Sequence, residues 1–280
     1  MLSLVNSAGS GRGASPLAPS SPVLFIHGSL CNHRMWNAYE TALAPRASVA
    51  IDLPGYGDAE WSTGTAPYRL VDATRAIPPA IHRNYPIDIV AHSFGGAVAL
   101  RFALEHPSLV RTLTLIEPSY FSVLRDMGRR AFEAFCAVER IAEAFSDSEG
   151  DGCRFAMARF FDFWNGRGTW AALGPERQHA FALKGHQVRR DFEAIFAERI
   201  HLSAFRRLVT PTLLVTGTTS SAASLLVTEG IRRAAPRASS ISISGAGHML
   251  PITHVHELTR ILRDRLNVDP TSSLRARVAS

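Results

Sequence analysis

Ser93 stands at the centre of Ala91-His92-Ser93-Phe94-Gly95, between an apolar run, Ile87-Asp88-Ile89-Val90, and a small-residue stretch, Gly96-Ala97-Val98-Ala99-Leu100. A strand that turns sharply into a helix with serine at its apex strains the backbone there and exposes the hydroxyl as a nucleophile. Such a turn needs small residues two positions to either side. Gly95 meets that need downstream, while upstream Ala91 replaces the usual glycine with one extra methyl. A serine hydroxyl is barely nucleophilic at neutral pH and needs a base within hydrogen-bond reach. Of eleven histidines, His248 is the one that follows a strand candidate on a glycine-flanked loop, Gly245-Ala246-Gly247-His248. His92 adjoins the serine, but consecutive residues of a sharp turn point in different directions. His82, His106, His179, His186, His201, His254 and His256 fall on helices or surfaces, where a packed or solvated role is expected.

Two more loops carry chemistry. In His27-Gly28-Ser29-Leu30 the glycine lets a main-chain N–H turn inward. With the N–H of the residue after the nucleophile, it would hold the oxyanion that develops in acyl transfer. The two donors are assigned to Ser29 and Phe94, with Leu30 as second choice for the first; each is worth about 10²–10³ in rate. In Asp52-Leu53-Pro54-Gly55-Tyr56-Gly57 the aspartate belongs to a tight Pro-Gly turn, so it is read as a loop organiser before a catalytic carboxylate.

The elements that must position these loops are short β-rich apolar runs alternating with helical patterns, the mark of a parallel sheet with crossover helices. Strand candidates are Val23–His27, Ser48–Asp52, Ile87–Ala91, Leu113–Glu117, Thr212–Thr216 and Ser240–Ser244. All four loops then lie at carboxyl ends of strands, the edge where open α/β sheets bind ligands. The expected fold is α/β: a mostly parallel sheet flanked by helices. Pro78-Pro79 breaks or kinks the helical segment between Tyr68 and Arg83. Between Glu117 and Pro211 no convincing strand occurs, and the chain is helical, arginine-rich and aromatic (Phe132, Phe135, Phe155, Phe160, Phe161, Phe163, Trp164, Trp170, Phe181). A segment of that length cannot be structureless in a compact protein. It reads as an inserted helical cap over residues 119–204, with 146–152 as a break between its helices. The core then comprises 22–118 and 205–268, with a loose N-terminal tail, 1–21, and a C-terminal tail, 269–280. Leu30, Phe163 and Trp164 are candidate substrate contacts, although the aromatic cluster at helical spacing is also read as the cap's own core.

At 280 residues and 46% hydrophobic the chain can bury one large α/β core with an insertion. No apolar run approaches the ~20 residues that span a bilayer. The Ser-, Gly-, Ala- and Pro-rich start lacks a signal-peptide apolar region, so a cytoplasmic location is expected. Three cysteines, Cys31, Cys136 and Cys153, have no metal-type spacing, and Cys31 is read as a small apolar filler. The net charge of +6 rests on arginines dispersed among acids, Lys184 being the single lysine, which argues against nucleic-acid binding. No metal or organic cofactor is expected. Nothing in the chain speaks to oligomeric state.

Taken together and in this order, the His-Gly loop, the Asp-x-Pro-Gly-x-Gly loop, the serine turn and the late Gly-His resemble the α/β-hydrolase fold superfamily over roughly residues 22 to 268. The resemblance implies a Ser–acid–His triad in that chain order, with Ser93 as nucleophile and His248 as base; the aromatic cluster adds the expectation of an apolar small-molecule acyl substrate. A serine nucleophile argues against the superfamily's aspartate-nucleophile branches. The acid is where this chain departs from the pattern. In most of the superfamily it follows the penultimate strand in a Gly-x-x-Asp turn. Here the turn reads Gly217-Thr218-Thr219-Ser220, and Glu229, the next carboxylate, falls inside a helix. Glu117, at the end of the preceding strand and followed by Pro118, resembles the alternative acid position of some relatives. The competing reading pairs Glu117 with a cap arginine and leaves a weaker Ser–His dyad.

The reaction expected is acyl transfer from an ester or related substrate to water. Cofactor-free perhydrolase, haloperoxidase or carbon–carbon hydrolase chemistry on the same site, and a ligand receptor with little turnover, are the alternatives. With Glu117 as the acid, Glu117→Gln lowers esterase kcat far more than Ser220→Ala, by up to ~10⁴; the reverse ranking in steady-state assays refutes the assignment.

Overall fold

The computed structural model describes residues 21–61, 67–77, 86–146 and 151–267. Residues 1–20, Pro78-Pro79, His82, most of the 146–152 break and the 269–280 tail lie outside them. Six strands form one sheet: β1 (Val23–Ile26), β2 (Ser48–Ile51), β3 (Ile87–His92), β4 (Val110–Ile116), β5 (Thr212–Gly217) and β6 (Ala238–Ile243). Their order is β2-β1-β3-β4-β5-β6 and every neighbouring pair is parallel. The nucleophile strand β3 thus lies between β1 and β4, and the carboxyl ends of β1, β3, β4 and β6 open onto one edge.

Strands covered on both faces read as unbroken apolar runs. In β1 all four residues are buried, and the period of two splits them: Leu24 and Ile26 join one core, Val23 and Phe25 the other. Helices α1 (Asn37–Leu43) and, near the carboxyl terminus, Val255–Leu266 close the second core through Tyr39, Leu43, Leu258, Leu262 and Leu266. Helices α2 (Leu70–Thr74) and α3 (Ser93–Glu105) cover the first face. The edge strand β6, Ala-Ser-Ser-Ile-Ser-Ile, is largely exposed, and its serines blunt the edge. At the amino end of β3, buried Asp88 is held by Arg46, Arg111 and Thr112. Arginines such as Arg101, with Glu105 and Glu198, are paired in the same way, consistent with charges spent on internal ion pairs.

Between β4 and β5 the chain forms α4 (Arg129–Glu143), α5 (Asp151–Asn165), α6 (Thr169–Ala172), α7 (Pro175–Ala182) and α8 (Gly185–Ala197). Their shared interior is aromatic: Phe160 packs against Phe145, Phe161, Trp164 and Phe192. Strand boundaries depart from the sequence expectation where packing overrides pattern. β4 begins at Val110, with a register shift beside Ile87 and Asp88, and ends at Ile116 because Glu117 already has φ +46°.

Helix α3 lies so close to β1 that a methyl group on Gly95 would sit 2.2 Å from the His27 carbonyl oxygen. Because that neighbour is backbone, it cannot swing away. Gly95→Ala is therefore expected to lower unfolding free energy by about 3 kcal/mol or more in urea denaturation; an unchanged midpoint contradicts this packing.

Candidate functional site

The site grows from three strained residues. Leu30, Ser93 and Glu117 have φ of +61°, +53° and +46°, and they follow β1, β3 and β4 in turn. The left-handed region costs a non-glycine residue about 1–3 kcal/mol, and such strain concentrates at functional sites. Asn267, the other such residue described, merely caps a helix. Ser93 passes from extended His92 directly into α3, which aims the amino end of the helix at its hydroxyl. Ala91 is fully buried beneath the turn, where its methyl is accommodated. Gly28 packs against the turn from the other side, 2.9 Å from Ser93 Cβ by the position its own Cβ would take.

Ser93 Oγ lies 3.0 Å from His248 Nε2, and His248 Nδ1 lies 2.8 Å from Glu117 Oε2. The structure therefore brings together the three side chains that sequence singled out. Glu117 is 1% exposed and pairs with no cap arginine. Its other oxygen accepts from the Gly217 N–H at 3.1 Å and from the Ser220 hydroxyl. Burial pushes the carboxyl up, but hydrogen bonding and charge from His248, with the Ser220 and Gly217 donors, outweigh it and hold the group at about 2. An ionised Glu117 can accept only from a protonated Nδ1, the tautomer in which Nε2 faces Ser93 Oγ as an acceptor. Ser220, at the position where a carboxylate was sought, donates to Glu117 instead. Glu229 is elsewhere, on the helix Ala222–Ala234, paired with Arg232 and Arg233.

His92 points away from Ser93. Its Nε2–H donates to the His248 carbonyl at 2.9 Å, and burial lowers it to about 3, so it is a neutral brace for the histidine loop. His27 is likewise neutral, lowered to about 4 by burial; Nδ1–H donates to the Gly28 carbonyl and Nε2 accepts from the Leu53 N–H. Asp52 accepts from the His33 N–H and ring and from the Asp58 N–H, organising its own loop. Burial pushes the Cys31 thiol up to about 11, which leaves it inert as a nucleophile.

A small cavity of about 10 Å³ adjoins Ser93 and is lined by Ser29, Ser119, Phe160, Trp164 and Asp191 among others. Trp164 stacks over the His248 ring at 4.8 Å. Phe163 packs edge-on against Trp164 from behind, and neither Phe163 nor Leu30 is on the cavity wall. The aromatic cluster is thus both the insertion's core and, through Phe160 and Trp164, the wall of the cavity. The Tyr56 phenol oxygen accepts from the Leu30 N–H. Among the described residues no group of three or more His, Cys, Asp or Glu side chains gathers to hold a metal ion.

Two residues escaped the sequence reading. Ser119 Oγ lies 3.2 Å from Ser93 Oγ, and its N–H donates to the Ser93 carbonyl. Asp191, on α8, is buried against the cavity and accepts from Ser29 Oγ at 2.5 Å and Tyr56 Oη at 2.6 Å, both on Oδ2. Its signal was present in the sequence: Val188, Asp191, Phe192 and Ile195 share the apolar face of an amphipathic helix.

Comparison with known proteins agrees with this architecture. Residues 23–261 match the model of the alpha/beta hydrolase family, and the chain belongs to that family. It is similar to lipase LipV of Mycobacterium tuberculosis, 37% identical over 36% of this chain and 39% of that protein. It is also similar to a pimeloyl-[acyl-carrier protein] methyl ester esterase of Neisseria meningitidis, 38% identical over 33% of this chain and 35% of the relative. The matched stretches thus span well under half of either relative. Among solved structures, a putative lipase from Acinetobacter baumannii superposes with a TM-score of 0.67 at 18% identity, covering 91% of this chain and 86% of that one. MenH from S. aureus gives 0.64 at 16%, covering 90% and 96%. These two share the fold. Those two curated relatives are named as a lipase and an esterase. No helix among the described residues is long and apolar enough to cross a membrane.

Burial raises the Asp191 carboxyl to about 7, against the hydrogen bonds from Ser29 and Tyr56 that pull it down. The unfolded value is near ~3.9, so between these limits the native state holds a proton that the unfolded chain has released. The stabilisation is full below ~3.9 and is lost as pH rises through about 7. Asp191→Asn, which does not titrate, should therefore gain stability relative to wild type between about pH 4 and pH 8, by several kcal/mol in urea denaturation. A gap that does not vary with pH contradicts a buried, protonated carboxyl.

Proposed function

We propose that this protein is a serine esterase that cleaves small apolar acyl esters through an acyl-enzyme on Ser93. The observation that carries this reading is the unbroken hydrogen-bonded chain Ser93 Oγ, His248 Nε2, His248 Nδ1, Glu117 Oε2. Ser93 Oγ attacks the ester carbonyl carbon while its proton passes to His248 Nε2. The carbonyl oxygen becomes an oxyanion held by the Ser29 and Phe94 N–H groups, the second of them in the first turn of α3. As the carbonyl re-forms, the bond to the alkoxy group breaks, and that group leaves as an alcohol with the proton from Nε2. Water then attacks the acyl-enzyme, giving its proton to His248, and Ser93 recovers that proton as the acid departs. Glu117 stays ionised throughout, fixing the ring and balancing the imidazolium.

Helices α4 to α8 act in this reading as a cap that selects the acyl group. The free volume beside Ser93 holds little more than one water molecule. A larger acyl chain is accommodated by rotation of Phe160, Trp164 and Phe192, whose apolar faces then enclose it. The esterase and lipase names of the relatives support ester chemistry over the receptor reading.

Pre-steady-state kinetics with p-nitrophenyl butanoate test the proposal. Wild type should release nitrophenol in a burst equal to the enzyme concentration, and Ser93→Ala should abolish it with at least ~10³-fold loss of turnover. A burst that survives Ser93→Ala would place the nucleophile elsewhere.

A further inference from the structure

Asp191 is the one carboxylate on the wall of the Ser93 cavity. Its two oxygens are treated unequally. Oδ2 accepts both the Ser29 and the Tyr56 hydroxyls, while Oδ1 is buried and has no hydrogen-bond partner. Above about pH 7 the carboxyl is ionised and Oδ1 is a bare acceptor; leaving such an oxygen unpaired costs more than the ~1–3 kcal/mol of a neutral group. Tying Ser29 and Tyr56 to helix α8 needs only a single acceptor, so Oδ1 has no part in that tie. It lies one side chain and one hydrogen bond from the Ser29 N–H that faces the oxyanion. No cation pairs with the carboxyl among the described residues, and the neighbouring wall (Phe121, Phe160, Trp164, Val188, Phe192, Ile195) is apolar. A molecule that fills the cavity can supply the missing partner.

We infer that Asp191 is a specificity-determining residue whose Oδ1 accepts a hydrogen bond from a hydroxyl or amino group on the acyl chain, one or two carbons from the scissile carbonyl. This rests on the reading of Ser93 as the acylated nucleophile and narrows its substrates to donor-bearing short acyl esters with a hydrocarbon remainder. A site built to bond a substrate O–H or N–H discriminates against the analogue lacking it, because the buried acceptor is then left unpaired.

The test compares kcat/KM at pH 9, where Asp191 is ionised, for ethyl butanoate, ethyl 2-hydroxybutanoate, ethyl 3-hydroxybutanoate and ethyl 2-aminobutanoate by pH-stat titration. Wild type should favour at least one donor-bearing ester over ethyl butanoate by about tenfold or more. In Asp191→Asn that ratio should fall towards one, with the change mostly in KM. A wild-type ratio near one overturns the inference, and so does a ratio that Asp191→Asn leaves intact while slowing all esters equally, which is the signature of a loop-positioning role alone. If the variant does not fold, the wild-type ratio decides by itself. Ser93→Ala separates the two readings: turnover lost with a wild-type ratio of one refutes Asp191 only, whereas turnover retained, or none with any ester in wild type, refutes the nucleophile and this inference with it.

Discussion

The hydrogen bond between Glu117 and His248 is the interaction on which the rest of the site depends. A neutral imidazole can carry its proton on either nitrogen, and only the form protonated at Nδ1 offers Nε2 to the serine. In the proposed triad the carboxylate selects that form. The fold spends considerable structure on keeping it there: Glu117 sits at a left-handed turn, its side chain is buried, and the Gly217 N–H and Ser220 hydroxyl hold its second oxygen. Gly217 is itself demanded by the close approach of two strand ends, since a methyl there would lie 2.1 Å from the Ala246 carbonyl oxygen. The histidine loop is braced in turn by His92. The carboxylate, the ring and the serine are therefore set by backbone at the carboxyl ends of β4, β6 and β3, with little freedom left to the side chains.

The helices between β4 and β5 reach this framework at two points. Trp164 covers the His248 ring, and α8 ties the loops after β1 and β2 to itself through Asp191 with Ser29 and Tyr56 and through Gln187 with the Gly55 carbonyl. Under the proposed function, acyl-group selection and oxyanion geometry share one residue, Ser29, so a change in the helical segment would reach the reacting carbonyl without touching Ser93.

Much of this was legible in the chain because of where burial falls. Strands β1, β3 and β5 are covered on both faces and read as continuous apolar runs, and their ends are marked by glycine turns. The serine turn and His248 were read from small-residue loops at strand ends, and Glu117 from the empty position at Ser220 together with a resemblance to relatives whose acid ends the preceding strand. The start of β4 was missed because Arg111 and Thr112 look like loop residues until Asp88 is seen to pair with them. The placement of β6 was blurred because an exposed edge strand of serines carries little periodicity. Asp191 was hidden by its neighbours: Arg189-Arg190-Asp191-Phe192-Glu193, with two acids beside two arginines, resembles a solvated helix face, and only the register of Asp191 with Val188 and Ile195 shows otherwise. The partners that give it meaning, Ser29 and Tyr56, lie far away in the chain.

The tautomer of His248 tests the account most directly. Nitrogen-15 NMR of histidine-labelled protein near neutral pH, with His248 assigned by its loss in His248→Gln, reads the protonation of each ring nitrogen. The account predicts a proton on Nδ1 and a bare Nε2 in wild type, with a mixture of tautomers in Glu117→Gln. A proton fixed on Nε2 in wild type, or a tautomer indifferent to Glu117, would contradict it, because the histidine could not then take the Ser93 proton under the direction of Glu117.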